Sequence, residues 1–197
     1  GGELRLGVPG RHNLLNALAA VGVGLELGLA FEVIAGALAE FRGAERRFQV
    51  LGEAQGVVVV DDYGHHPTEI TAVVATARAQ ADRRLVLVFQ PHRYSRTREL
   101  LEEFGAALAP ADLVVLTDIY AAGEDPLPNV TVEEVARAVE RAGGAAPTIV
   151  KAVADVPEAV ARLTRRGDLV ITLGAGSIGT AGPRLLERLR AREGAGA

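Results

Sequence analysis

Cysteine, methionine and tryptophan are absent, lysine occurs once, as Lys151, and the aromatic residues are three tyrosines and five phenylalanines. Without cysteine there is neither a disulfide framework nor a thiolate metal site. No apolar run approaches the roughly 20 residues of a membrane span, and no basic segment followed by an apolar one marks a signal peptide. The expected location is therefore cytoplasmic, with no membrane partner. A net charge of -4, with the basic residues scattered rather than striped, speaks against a nucleic-acid surface. The missing methionine, even at position 1, is what a piece excised from a longer protein would show. The preference for arginine over lysine is read as genome composition.

What is present is ordinary for a globular chain: 197 residues, 49% apolar and 23% charged, enough for one full domain and a smaller piece. A short strand is predicted at 4–8. Helical spacing of Leu14, Leu15, Leu18, Ala19, Val21, Leu25 and Leu27, stopped by Gly28, predicts a first helix, and 31–41 a second. A linker follows at 42–43. The pattern then changes to period two: Phe48, Val50 and the run 57–60, with 52–56 between them, predict an antiparallel hairpin at the start of the second part. Helices at 68–81, 97–108, 132–142, 156–164 and 178–192 alternate with strands at 85–89, 113–117, 148–150 and 169–173, and a frayed tail is expected at 193–197. This alternation implies an α/β fold, a Rossmann-like, mostly parallel sheet with helices on both faces.

Chemistry is expected where strands run out into polar loops, because ligands of open α/β sheets bind at the carboxyl ends of strands. The stretch DDYGHHPTEI at 61–70 ends a β-branched run in two carboxylates, a phenol and two imidazoles. Pro67 then suits the first helical position and Glu69 the positive end of the helix. Asp61 and Asp62 alternate sides, so one can face a site while the other pairs locally. FQPHRYSRTREL at 89–100 repeats the arrangement: His92, Arg93 and Arg96 form an electropositive cluster, adjacent to the Asp62 loop if consecutive parallel strands are neighbours, with Arg98 outward near Glu102. In GRHNLLNALAA at 10–20, Asn13 and Asn16 share a helix face, and either read the edge of a heterocycle or serve as a helix cap. Arg46 and Arg47 of ERRF point to opposite faces as strand residues, so at most one faces a given ligand. GAGSIG at 174–179 matches a dinucleotide fingerprint, but the chain ends after one more helix, so no second strand supplies the ribose contact. It is read as a glycine turn presenting N–H groups to the ligand edge, or as tight strand–helix packing. DIYAAGEDP at 118–126 is a polar loop on the same edge, functional or merely a flexible connection. The histidines and carboxylates are too bunched for a tetrahedral metal site, so no metal ligand is assigned.

Taken together and in this order, GRHNLLNALAA, RRFQ, VDDYGHHPTEI, FQPHRYSRTREL, DIYAAGEDP and GAGSIG resemble the Mur ligase family, and the DYGHHPTE and FQPHRYSRT pair resembles its alanine-adding members. The resemblance implies three domains, of which this chain holds the closing helices of the central ATPase domain (1–43) and the carboxyl-terminal Rossmann-like domain (44–197). It implies ATP and Mg²⁺ as cofactors, and L-alanine and UDP-N-acetylmuramate as substrates, the latter bound mostly by the missing domains. The carboxylate is activated as an acyl phosphate, and the amine of L-alanine displaces phosphate to form the amide. Carried onto this sequence, it implies that Asn13 and Asn16 approach adenine and that Arg47 and Asp62 close on the ribose and phosphates. Tyr63, His65, Arg93 and Arg96 form the L-alanine pocket, and His65 orients the amine or takes its proton. Asp62, His65 and Arg47 are thus the catalytic candidates. No G-x-x-x-x-G-K-[ST] loop occurs, so the isolated chain is expected to be inactive. Two alternatives remain open: a non-catalytic Rossmann-type nucleotide-binding module, resting on GAGSIG, and the family's tripeptide-recycling ligase.

Overall fold

The computed structural model describes residues 2–80 and 82–195, the side chains only to 192. The chain divides into two compact units, Gly1–Glu45 and Arg46–Ala197. In the first, α1 (Arg11–Glu26) and α2 (Phe31–Glu40) pack against each other. They pack tightly at Gly24, where a Cβ would lie 2.7 Å from the Ile34 side chain. Leu14, Leu15, Leu18, Leu25 and Leu27, the residues that set the helical period, are exposed. The strand predicted at 4–8 does not form; the described residues of this unit offer no other strand to pair its backbone groups.

The second unit is a six-stranded sheet built from β1 (Gln49–Ala54), β2 (Val57–Asp62), β3 (Arg84–Phe89), β4 (Leu113–Leu116), β5 (Thr148–Ile149) and β6 (Asp168–Leu173), in the order β1-β2-β6-β3-β4-β5. Only the β1–β2 pair is antiparallel. Its connection is tighter than the predicted 52–56 loop. Gln55 and Gly56, both at positive φ, form a two-residue hairpin turn. Gly52, taken for a loop residue, sits in the strand where the register shifts.

Period-two alternation sorts the strands' side chains onto two cores. Val60, Leu87, Phe89, Leu116 and Ile171 face one side, covered by α3 (Pro67–Gln80), α5 (Leu101–Leu108) and α6 (Val132–Arg141). Val59, Val86, Val88, Val115 and Val170 face the other, covered by α7 (Val156–Leu163) and α8 (Ala181–Ala195). The predicted helix at 97–108 is two helices, α4 (Tyr94–Glu99) and α5, broken at Leu100 (φ -114, ψ 26). Arg98 does not reach Glu102, which pairs instead with Arg141 of α6 at 2.6 Å. The last helix continues through the predicted frayed tail to Ala195; positions 196 and 197, like the expected helix end at 81, lie outside the described residues.

Strand order corrects one expectation. β2 and β3 are not neighbours: β6 lies between them, pairing with both, Val60 and Leu87 meeting Ile171 from either side. β2 and β3 run into helices on one face of the sheet and β6 into α8 on the other. The carboxyl ends of these three strands therefore diverge around a crevice, the topological switch point at which open α/β sheets hold ligands.

Candidate functional site

Loops from β2, β3, β4 and β6 meet at that crevice. The β2 loop is fixed by its own carboxylates. Asp62, 4% exposed, accepts the N–H groups of Phe48 (2.7 Å) and Gly64 (2.6 Å). Burial pushes its carboxyl up from the ordinary range against the pull of those two bonds. Asp61 accepts from Thr172 Oγ1 at 2.5 Å and from Arg46 Nε at 2.7 Å. Both aspartates are thus engaged internally, where the alternation argument had left one free. Helix α3 begins with a box in which histidine replaces the usual serine or threonine: His66 Nδ1 accepts the Thr68 N–H, and Glu69 accepts those of His65 (2.9 Å) and His66 (3.2 Å). Burial opposes ionisation of Glu69, but these N–H bonds and the nearby His65 and Arg47 outweigh it, so its carboxyl lies below the ordinary value.

His65 Nδ1 faces the Tyr63 carbonyl oxygen at 3.1 Å and Glu69 Oε2 at 3.5 Å. Both are acceptors, so Nδ1 is the ring nitrogen that donates toward the loop, and in the neutral tautomer Nε2 holds the lone pair. The His65 ring stands edge-on to Tyr63 (5.4 Å between centroids) and 5.8 Å from His92, which stacks on Tyr120 at 5.4 Å. These four rings form a row across the strand ends, from the β2 loop to the β4 loop, over β6.

Along this row the cations differ. Arg46 and Arg47 lie in a turn before β1, Arg46 at φ 56, rather than alternating along a strand. Arg46 points inward, donating to Asp61 and, at 2.6 Å, to the Gly174 carbonyl, with its guanidinium over the Tyr63 ring. Arg47 remains half exposed, near Glu69 and the same ring. Arg93, at φ 74, precedes α4 and lies 3.7 Å from Glu124. Arg96 has Nη1 buried without a partner among the described residues, as does His92 at Nδ1. Burial first, then the charge of Arg96, holds His92 below its ordinary range, so the imidazole is neutral at pH 7. Two buried polar atoms without partners among the described residues make these strand ends the candidate site.

The glycines of GAGSIG serve packing here. A Cβ at Gly174 would lie 2.9 Å from the Gln90 carbonyl, at Gly176 2.6 Å from the Tyr120 ring, and at Gly179 2.6 Å from the Arg46 guanidinium. The Ile178 N–H is already taken by Gln90 Oε1 at 3.0 Å. DIYAAGEDP is pinned rather than flexible: the Tyr120 N–H binds the Pro91 carbonyl, and Glu124 accepts from Ser95 N–H and Oγ. Arg46, Gln90, Tyr120 and Glu124 are the site residues that sequence reasoning left out. For Tyr120 and Glu124 the only signal was their place on a loop at the strand edge.

In the first unit, Gly10 (φ 98), not Asn13, is the N-cap of α1, and no side chain caps it. Asn13 Nδ2 turns back to the Pro9 carbonyl at 2.6 Å, and Asn16 stays exposed on the next turn with only a 3.5 Å bond to Asn13 Oδ1. Among the described residues no three histidine, aspartate or glutamate side chains converge as a metal site, and no helix is long and apolar enough to cross a membrane.

Comparison with known proteins finds relatives over nearly the whole chain. The glutamate ligase domain of the Mur ligases matches residues 46–176. A UDP-N-acetylmuramate–L-alanine ligase of Geotalea daltonii is 51% identical over 189 residues, covering 96% of this chain and 41% of the relative. One from Myxococcus xanthus is 48% identical over 189 residues, covering 96% and 40%. The crystal structure of the UDP-N-acetylmuramate-alanine ligase MurC from Thermotoga maritima superposes with a TM-score of 0.81 at 30% identity, over 98% of this chain and 41% of that one. A murein peptide ligase from Psychrobacter arcticus shares the fold, with a TM-score of 0.69 at 23% identity over 95% and 38%. The chain spans about two fifths of the length of these relatives. By the domain match, the half-identical relatives and the shared fold, the chain belongs to the Mur ligase family.

Proposed function

We propose that this chain is the carboxyl-terminal part of an ATP-dependent ligase that joins L-alanine to UDP-N-acetylmuramate in the cytoplasm, a step of peptidoglycan precursor synthesis. The observation that carries the reading is the open, buried Arg96 Nη1 beside His92 and His65, in a chain about half identical to ligases named for that reaction. ATP, with Mg²⁺ held by the parent's other domains, supplies the phosphoryl group that activates the muramoyl carboxylate. Residues 1–43 close the central ATPase domain, and the exposed leucines of α1 fit burial there. Without a phosphate-binding lysine loop, this chain alone does not turn over.

The geometry supports the following division of labour. Arg96 offers a guanidinium N–H to the carboxylate of L-alanine, a charge-assisted bond in a partly desolvated crevice. His65, with Nδ1 engaged by the loop, keeps Nε2 for orienting the amine or taking its proton as nitrogen attacks carbon. Tyr63 walls that side. Arg47 is exposed and able to reach a phosphate. Asp62 has both oxygens occupied by N–H groups, so we assign it a positioning role: it fixes Phe48 and hence Arg47. Asn16, with its carbonyl oxygen open, is the better placed of the two asparagines to read adenine; Asn13 braces it. Closure of the domain then brings these groups over the activated carboxylate.

The test is amide formation by the full-length parent with UDP-N-acetylmuramate, ATP, Mg²⁺ and L-alanine. Arg96→Ala is expected to raise KM for L-alanine by about 10- to 100-fold, the worth of a hydrogen bond to a charged group, while Arg98→Ala, on the outer face of α4, leaves it within twofold. An unchanged KM in Arg96→Ala removes the pocket, and failure to use L-alanine at all removes the reaction.

A further inference from the structure

Arg93 and Arg96 stand three residues apart around the start of α4, yet only Arg96 presents an open, buried donor. The charge of Arg93 is opposed by Glu124, which reaches over from the β4 loop to within 3.7 Å. Glu124 is not free to swing away: Ser95 Oγ donates to Oε1 at 2.6 Å and Ser95 N–H to Oε2 at 2.9 Å. These bonds and Arg93 keep its carboxyl below the ordinary range, so it is ionised at neutral pH. With His92 neutral, Arg93, Arg96 and Glu124 leave one uncompensated positive charge at this end of the crevice.

We propose that Glu124 is a specificity-determining residue that matches the pocket to an amino acid with a single carboxylate, by opposing the charge of Arg93 and leaving the unpartnered Arg96 guanidinium to take the α-carboxylate. The inference rests on the L-alanine pocket proposed above. An α-carboxylate on Arg96 completes its open donor. A second carboxylate, one or two methylenes away as in L-aspartate or L-glutamate, has Arg93 as its nearest further cation and meets the Glu124 carboxylate there instead. Repulsion between the two carboxylates, and not steric exclusion, is then what rejects the acidic amino acids. Apolar walls alone would not suffice, since shape discriminates poorly among side chains differing by a methylene or two.

The experiment compares kcat/KM for L-alanine, L-aspartate and L-glutamate in the full-length parent as wild type, Glu124→Gln, Arg93→Gln and the double variant. Glutamine keeps an acceptor for Ser95 and removes the charge. Glu124→Gln is expected to shift the ratio toward the dicarboxylates by at least about tenfold, and the double variant, with neither charge, to return it to within about threefold of wild type. A purely structural role for Glu124 predicts no such return. Should Glu124→Gln not fold, Arg93→Gln carries the test alone: its unopposed Glu124 must lower dicarboxylate use further, and an unchanged ratio overturns the proposal. A ratio equal in all four proteins overturns it as well. Failure of the underlying reading is seen separately, as L-alanine turnover indifferent to Arg96→Ala.

Discussion

Replacing Arg46 by alanine should unfasten the crevice from below, and the size of the effect can be worked from its contacts. The guanidinium bonds Asp61 at 2.7 Å and the Gly174 carbonyl at 2.6 Å, joining the turn before β1 to the end of β2 and the loop after β6. Without it, Asp61, 3% exposed, keeps only Thr172 Oγ1 as a side-chain partner. Removing one member of a buried ion pair costs about 3–5 kcal/mol. Here the arginine side chain is itself 26% exposed, so water enters the space it leaves and repays part of that loss, bringing the expected cost to about 2–3 kcal/mol. Arg47 is the control. Its side chain is 49% exposed and its contact with Glu69 is 3.5 Å long, so Arg47→Ala should cost no more than about 1 kcal/mol. Guanidinium melts of this chain followed by tyrosine fluorescence measure both. Tyr63, Tyr94 and Tyr120 all lie in the Arg46–Ala197 unit and there is no tryptophan, so the signal reports that unit. Arg46→Ala should lower the midpoint at constant m. Destabilisation below about 0.5 kcal/mol, or smaller than that of Arg47→Ala, would refute the reasoning.

Two further outcomes are expected. Because burial and Arg96 depress His92 below its ordinary value of 6.5, the unfolded chain takes up a proton near that pH that the folded chain does not. Stability should therefore be flat with respect to this group above 6.5 and fall as pH drops below it toward the folded pKa. His92→Gln should remove that slope in melts from pH 7.5 to 5, and an identical slope in the variant would exclude His92 as its source. Gly105→Ala should destabilise by about 1–3 kcal/mol despite alanine's better helix propensity, because the added methyl meets the Ala138 backbone carbonyl of α6. Gly36→Ala in α2, with nothing within 4 Å of the added atom, should be neutral or slightly stabilising; melts followed by far-UV circular dichroism, which reports both units, compare the two glycine variants.

Much of the second unit was legible because its signals are local. Apolar runs ending in Asp61–Asp62, Phe89 and Leu173 each bury side chains on both faces of a covered strand, and such runs look alike whatever their neighbours. Pro67 and Glu69 mark the start of α3 by chemistry confined to four residues. What was not legible depends on partners far away in sequence. α4 begins at Tyr94 rather than Thr97, with Glu124 of another loop accepting the Ser95 N–H at its start. Arg46 turns inward because Asp61 and Gly174 await it there, and period-two reasoning fails for it because the residue sits at positive φ outside any strand. Apolar spacing in the first unit identified its helices but not the exposure of their leucines, since periodicity records which face is apolar and not what covers it.

The position of β6 explains why the site loops were found together although their strands were misplaced. Neighbouring β2 and β3 would have set the His65 and His92 loops one strand spacing, about 4.8 Å, apart. With β6 between them the strand ends are two spacings apart, and side chains must bridge the gap: the rings of His65 and His92 do so at 5.8 Å. The loop after β6 passes close against the end of β3 and the Tyr120 ring, and this is what its glycines allow, since a Cβ at Gly174 or Gly176 would strike Gln90 or Tyr120. Close packing is thus reason enough for the glycines of GAGSIG, apart from any dinucleotide. In both cases glycine lets a backbone pass close to something, a pyrophosphate there and the end of β3 with the Tyr120 ring here. Spacing in sequence reports the close passage, and only the strand order reports what is being passed.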